Sequence, residues 1–281
     1  MDKKPSIAEL SAKWEELTAP DFIKAVAKAK QTCIVPIGVL EKHGAHLPLG
    51  TDLYTAREIS TRAARKEYVL IYPEYYFGQN GSAKQQPGGI AYSHGVIWSL
   101  LQETCDEICR NGIRKIAIVS SHGGNDNFTR FFCQTQLERK RNYAVVFFQP
   151  AADESFEKKI VKLAKTPFDF HGGERETSTT MVHHPRLVRL DEARTQSGAD
   201  QNRVPGQGVL DGFTGIWWYA RFPNHYAGDG RPANLLLGEL CLGHRVEQLA
   251  KMVKAVKEEK KILRLQDEFY QKAQNPVATQ Q

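Results

Sequence analysis

Between residues 33 and 148, short β-branched runs alternate with stretches of helical periodicity, and nothing else in the chain limits its fold as tightly. Cys33-Ile34-Val35-Pro36-Ile37-Gly38 is apolar and closed by glycine, as a strand buried on both faces would be. A helix is predicted over Tyr54 to Lys66, a second strand over Tyr68 to Pro73, and a Gly- and Gln-rich loop from Gly78 to Ser93. Ile97, Leu100, Leu101, Cys105 and Ile108 have helical spacing between His94 and Asn111, with Gly112 where a C-terminal cap belongs. A third strand at Lys115 to Ser120, a helix from about Asp126 to Arg139 and a fourth strand at Tyr143 to Phe148 complete the pattern. The alternation implies an α/β fold with a largely parallel sheet covered on both faces, its reactive groups in loops at the carboxyl ends of the strands.

The flanks read as helical. Ser6 precedes Ile7-Ala8-Glu9-Leu10, and a periodic stretch runs from Pro20 to Lys30. An aromatic stretch, Phe213 to Tyr226, leads into a long amphipathic helix from about Ala233 to Gln266, and a loose tail is expected from Asn275 to Gln281. Trp217, Trp218, Tyr219 and Phe222 are too apolar for a solvated loop and are expected at a subunit contact or over a pocket. With no repeat and no dividing linker, the expectation is one domain over residues 1–281.

Several classes of function are disfavoured. No apolar run approaches the roughly 18 to 20 residues needed to cross a bilayer, and Met1-Asp2-Lys3-Lys4-Pro5 opens no signal core, so the expected location is cytoplasmic. The net charge of +6 comes from scattered Lys and Arg, and Lys158-Lys159 and Lys260-Lys261 lack the interleaved aromatics of a nucleic-acid-binding face. Cys33, Cys105, Cys109, Cys133 and Cys241 are odd in number and set mostly among apolar neighbours, as reduced buried thiols are.

Three clusters carry chemistry. In Gly38-Val39-Leu40-Glu41-Lys42-His43-Gly44-Ala45-His46-Leu47-Pro48-Leu49-Gly50-Thr51-Asp52, Glu41 and His43 stand two apart and point to one side of an extended backbone, and Asp52 can return to the same place. Mixed carboxylate and imidazole donors suit zinc, manganese or iron rather than calcium; the alternative is an ion-paired loop with a helix cap at Thr51 or Asp52. Ser120-Ser121-His122-Gly123-Gly124-Asn125 follows the third strand, with Asn125 placed to tie neighbouring loops. His171-Gly172-Gly173-Glu174-Arg175-Glu176-Thr177-Ser178 leads into a helix, where either glutamate could be simply a first-turn acidic residue. His183 and His184 read as helix-end residues; His46, His94, His225 and His244 receive no metal role, although His225 is a candidate pocket residue.

Glu41-x-His43-Gly-x-His-Leu-Pro-Leu-x-Thr-Asp52, His122-Gly-Gly-Asn125 and His171-Gly-Gly-Glu174-x-Glu176-Thr-Ser178, in this order, resemble the motifs of the creatininase family of metal-dependent amidohydrolases. Gly228-Asp229-Gly230-Arg231-Pro232-Ala233-Asn234 through Gly238-Glu239 is a weaker echo. The resemblance implies a three-layer α/β/α sandwich, two divalent metal ions per subunit (Zn, Mn or Fe) and a homo-oligomer such as a hexamer. It makes Glu41 and His122 ligands of one metal, His43 a ligand of the other and Asp52 the bridge. Creatininase supplies a glutamate two residues after the histidine matching His122, where this chain has Gly124; Glu174 is expected to fill that vacancy, with Glu176 and Asn125 as supporting residues or alternative ligands. His171 is left over from the ligand count and is expected to move the catalytic proton.

Pro167 stands where creatininase encloses its ring with tryptophan, which disfavours creatinine. Lys84, Gln85 and Gln86 are expected to offer polar groups to a substrate from the loop Ser82 to Gly89. The resulting expectation is hydrolysis of a carbon-nitrogen amide-type bond in a small, cyclic, polar substrate by a water that two metals activate. The alternatives are carbon-carbon hydrolysis of a keto-inositol or related keto-polyol, and an inactive small-molecule-binding member of the fold.

Overall fold

The computed structural model describes residues 10–204 and 212–279. After α1 (Ala19–Lys28), β1 (Thr32–Ile37) leads through a long loop into α2 (Thr51–Lys66); β2 (Leu70–Ile71), α3 (His94–Arg110), β3 (Lys115–Ser120), α4 (Asn125–Thr135) and β4 (Ala144–Phe147) follow. Next come α5 (Glu154–Leu163), α6 (Glu174–His183), α7 (Trp217–Arg221), α8 (Leu235–Glu258) and α9 (Ile262–Ala273). The four strands lie in the order β2-β1-β3-β4, every pair parallel.

Strand side chains alternate between faces, and here both faces are buried. Cys33, Val35 and Ile37 of β1, with Ile116 and Ile118 of β3, meet Ala25 of α1, Leu101, Cys105 and Ile108 of α3 and Phe132 of α4. Ile34, Ala117 and Val119 face the other way, onto Ile59 and Ala63 of α2 and Leu242, Val246, Leu249 and Val253 of α8. The result is the expected layering of helices, sheet and helices. Pro36 is tolerated in a central strand because the β2 side is served at Ile34, whose carbonyl accepts from Tyr72, and at Gly38, whose N–H goes to Tyr75; Pro36 falls between them.

Register places the site. Ile37 lies opposite Ser120, so the loops leaving β1 and β3 start side by side. Gly38 lets the first of them run directly over the start of α2, since a Cβ there would stand 2.3 Å from the Leu53 nitrogen. At Gly238 a Cβ would stand 2.1 Å from the Ser178 carbonyl oxygen, so glycine seats α6 against α8.

The single C-terminal helix expected to Gln266 is instead two helices. Glu259 is extended at the break; Lys115 donates to the carbonyls of Val256 and Glu259 at 2.7 and 2.5 Å, and the Glu259 carboxylate accepts from Lys261 and Ile262 to start α9. The pattern of apolar residues cannot register a lysine arriving from a remote strand. The predicted helix after Ser6 falls largely on residues 1–9, outside the described residues, and the tail carries one exposed 3₁₀ turn, Pro276–Ala278. Among the described residues no helix is long and apolar enough to cross a membrane.

Candidate metal centre

Side chains from three loops converge beyond the carboxyl ends of β1 and β3. Glu41 and His43 come from the β1 loop, Asp52 from the first turn of α2, His122 from the β3 loop, His171 from the segment before α6 and Glu176 from its first turn. Glu41, His43 and Asp52 are at most 2% exposed. Charged groups are seldom withdrawn from water this completely without partners.

Backbone carbonyls orient both central imidazoles. A carbonyl oxygen only accepts, so His43 Nδ1, 3.2 Å from the Glu41 carbonyl, and His122 Nε2, 2.8 Å from that of Gln79, must each donate. The other nitrogen of each neutral ring is then bare. His43 Nε2 lies 3.2 Å from Asp52 Oδ1, 3.6 Å from Glu176 Oε1 and 3.8 Å from Glu41 Oε1. His122 Nδ1 lies 2.9 Å from Glu41 Oε1 and 3.1 Å from Asp52 Oδ2. Among the described residues, Glu41 Oε1 and Asp52 Oδ2 are buried and receive no hydrogen bond. Facing lone pairs call for a proton or a metal ion between them, and an imidazole that gives its N–H to a carbonyl is how proteins commonly set a metal ligand. The ligand atoms of Glu41, Asp52 and His122, and those of His43, His171 and Glu176, each lie within 4.8 Å of one another, and either set could hold a metal ion.

Protonation answers the same field when no metal is bound. Burial opposes a charge on His43, yet Glu176 and Asp52 lift it to about 10; His122 is likewise raised well above the usual histidine range against its burial by Glu41 and Asp52. Glu41 is held well below the carboxylate range, its burial outweighed by His122 and His171. Burial raises Glu176 to about 7 against the pull of His43. His171 is driven down to about 3 by burial and then by His43, on which it stacks at 4.1 Å.

The structure does not bring Glu174 to this cluster. Successive helical residues turn by about 100°, so Glu174 and Glu176 cannot face the same point. Glu174 Oε2 points back at the preceding loop, accepting from the Lys165 and Thr166 amides at 2.8 Å and from Thr166 Oγ1 at 2.9 Å. Glu176 turns to the cluster, its Oε1 3.6 Å from His43 Nε2 and its Oε2 accepting from the Gly172 N–H at 2.6 Å. Glu176→Gln should therefore lower metal content, whereas Glu174→Gln should keep its metals and lower the melting temperature; elemental analysis beside thermal melts checks both, and metal loss confined to Glu174→Gln would restore the original assignment.

Asn125 ties loops, its Oδ1 accepting from Gln79 N at 2.8 Å and its Nδ2 donating to Ser120 Oγ at 3.2 Å, and so fixes the carbonyl that orients His122. Gln86 is not turned to a ligand: it accepts from Lys42 Nζ and donates to the Pro223 carbonyl, while Lys84 and Gln85 are exposed. Loop composition suggested a polar pocket wall; tertiary contacts use the half-buried Gln86 amide as a clasp. His225 does reach the cluster, its Nε2 2.9 Å from Glu41 Oε2. Of the aromatic stretch, Trp218 lies edge-on to His171 at 5.7 Å, Phe222 is buried and Tyr219 is exposed. Trp218, expected at a subunit contact or over a pocket, lies beside His171 and His225, whereas the carbonyls of Lys42 and Gln79 escaped sequence reasoning. A cleft of about 640 Å³ bordered by Lys165, Pro167, Arg194 and Arg231 includes none of the cluster's side chains.

A parallel α/β sheet with buried carboxylates and oriented imidazoles beyond its strand ends defines the class, that of α/β metal-dependent hydrolases. Residues 15–253 match the family model for creatininase, described as creatinine amidohydrolase, and the chain belongs to the creatininase family. It is 24% identical over 219 residues to the creatinine amidohydrolase of Pseudomonas putida, covering 69% of this chain and 84% of that one. It is also 24% identical over 165 residues to the mycofactocin precursor peptide peptidase of Mycolicibacterium smegmatis, covering 57% of this chain and 60% of that one. A mutant creatininase of Zn-Zn type superposes with a TM-score of 0.74 at 20% identity, over 89% of this chain and 99% of that one. A creatininase described with Mn does so at 0.71 and 20%, over 89% and 100%. Those structures share its fold.

Proposed function

We propose that this creatininase-family hydrolase cleaves a carbon-nitrogen amide-type bond in a small, cyclic, polar substrate at a centre of two divalent ions. The reading is carried by Asp52, which turns one oxygen toward the bare nitrogen of His43 and the other toward that of His122, the disposition of a bridging carboxylate. Glu41 and His122 would hold one ion and His43 and Glu176 the other, and the chemistry these ions would supply is activation of a water near neutral pH and polarisation of the scissile carbonyl.

His171 is suited to the proton. Its Nε2 donates to the Lys42 carbonyl at 2.8 Å, which leaves Nδ1 as the basic nitrogen of a neutral ring. Nδ1 takes the proton given up by the attacking water and returns it to the leaving nitrogen, which departs poorly as an anion. Trp218 lies edge-on to this ring at 5.7 Å. A keto-polyol substrate loses its main support once Lys84 and Gln85 are exposed and Gln86 is engaged between loops. The metal-loaded protein, offered cyclic amides and keto-polyols and followed by mass spectrometry, is expected to add water to a cyclic amide and to stop when a chelator is added; turnover confined to keto-polyols would overturn the bond assignment.

A further inference from the structure

The ligand atoms of Glu41, His171 and His225 lie within 4.8 Å of one another, close enough to hold a cation of their own. Hydrogen bonding argues otherwise. An indole N–H can only donate, and Trp218 Nε1 stands 2.9 Å from His225 Nδ1, so Nδ1 must offer its lone pair. The proton of the neutral ring is then on Nε2, which stands 2.9 Å from Glu41 Oε2 and donates to it. No lone pair remains on His225 for a metal. His171 gives its Nε2 proton to the Lys42 carbonyl and keeps only Nδ1 bare.

We infer that Trp218 and His225 form a positioning relay, in which the indole selects the tautomer of His225 and the imidazole in turn holds the outer oxygen of Glu41. The inner oxygen, Oε1, is thereby presented to His122 at 2.9 Å. The relay is rigid. His225 sits in the left-handed region at φ 52°, with its N–H on the Phe222 carbonyl at 3.0 Å and its own carbonyl accepting from Gly44. Trp218 is fixed against the buried Phe222 ring at 4.9 Å. The aromatic stretch of the sequence thus acts on the metal centre from outside it, through one N–H. The inference rests on the reading of Glu41 as a metal ligand.

Trp218→Phe removes the N–H and keeps a ring in place. Nitrogen-15 spectra of the wild-type histidines are expected to show His225 with its proton on Nε2, both with and without zinc. In Trp218→Phe, affinity for one of two zinc ions should fall by roughly the 10- to 100-fold typical when the support of a ligand is lost, with the other ion and the melting temperature little changed. His225→Gln, whose amide can accept from the indole and donate to Glu41, should keep more affinity than His225→Leu. A wild-type His225 protonated on Nδ1, or zinc affinity in Trp218→Phe equal to wild type, would overturn the relay. If the wild type bound no zinc, the metal reading would fail by itself, and the spectra would still decide whether the indole sets the tautomer.

Discussion

His171→Ala is expected to keep its fold and its metals while kcat falls by about 100- to 10,000-fold, the range for a lost general acid or base. Five other side chains already surround the proposed ions, and the Nε2 proton of His171 is spoken for by the Lys42 carbonyl at 2.8 Å. Burial, and then the stacked ring of His43 at 4.1 Å, keep His171 neutral, with Nδ1 as its bare nitrogen. A group whose work is confined to proton transfer should leave KM for the true substrate nearly unchanged, since it adds little to ground-state binding. Kinetics beside elemental analysis separate the roles: loss of one metal would make His171 a ligand, and full activity would make it structural.

The part of the molecule that was legible in the sequence is the part whose signal is local. β1 and β3 are apolar because both their faces are covered, and a run such as Cys33 to Ile37 reports that by itself. Glu41, His43, Asp52 and His122 were legible because charged and imidazole groups cluster just past two buried strands, and parallel register does the rest. Their convergence needs no information from distant parts of the chain beyond the pairing of β1 with β3.

What was illegible depends on distant contacts. The choice between Glu174 and Glu176 is a question of helix phase, and the phase of α6 is fixed where Gly238 lets α8 touch Ser178. The resemblance favoured Glu174 from the vacancy at Gly124, which carries no information on the direction of either side chain; Glu174 points at the preceding loop and Glu176 at His43. Gln86 looked like a pocket residue until its partners, Lys42 and Pro223, were seen to come from loops 44 and 137 residues away. His225 was noticed for its aromatic surroundings, but only its distances to Trp218 and Glu41 give it a task.

Asp52 is the side chain whose loss should reach both halves of the centre. Each of its oxygens faces a different imidazole, Oδ1 at 3.2 Å from His43 and Oδ2 at 3.1 Å from His122, so removing the carboxylate takes a donor from both halves of the centre. It also leaves two raised histidines without the buried negative charge that stabilises them. Asp52→Ala should therefore lose activity by more than the roughly 10- to 100-fold cost of losing a ligand's support, and do so by losing metal rather than by slowing a proton. The most direct test is elemental analysis of the purified wild type and Asp52→Ala, each reconstituted with zinc or manganese and then freed of loose ions. Two ions per wild-type chain and fewer than one per Asp52→Ala chain are expected; a wild type that holds none, or an Asp52→Ala that keeps two with unchanged turnover, would contradict the bridged centre.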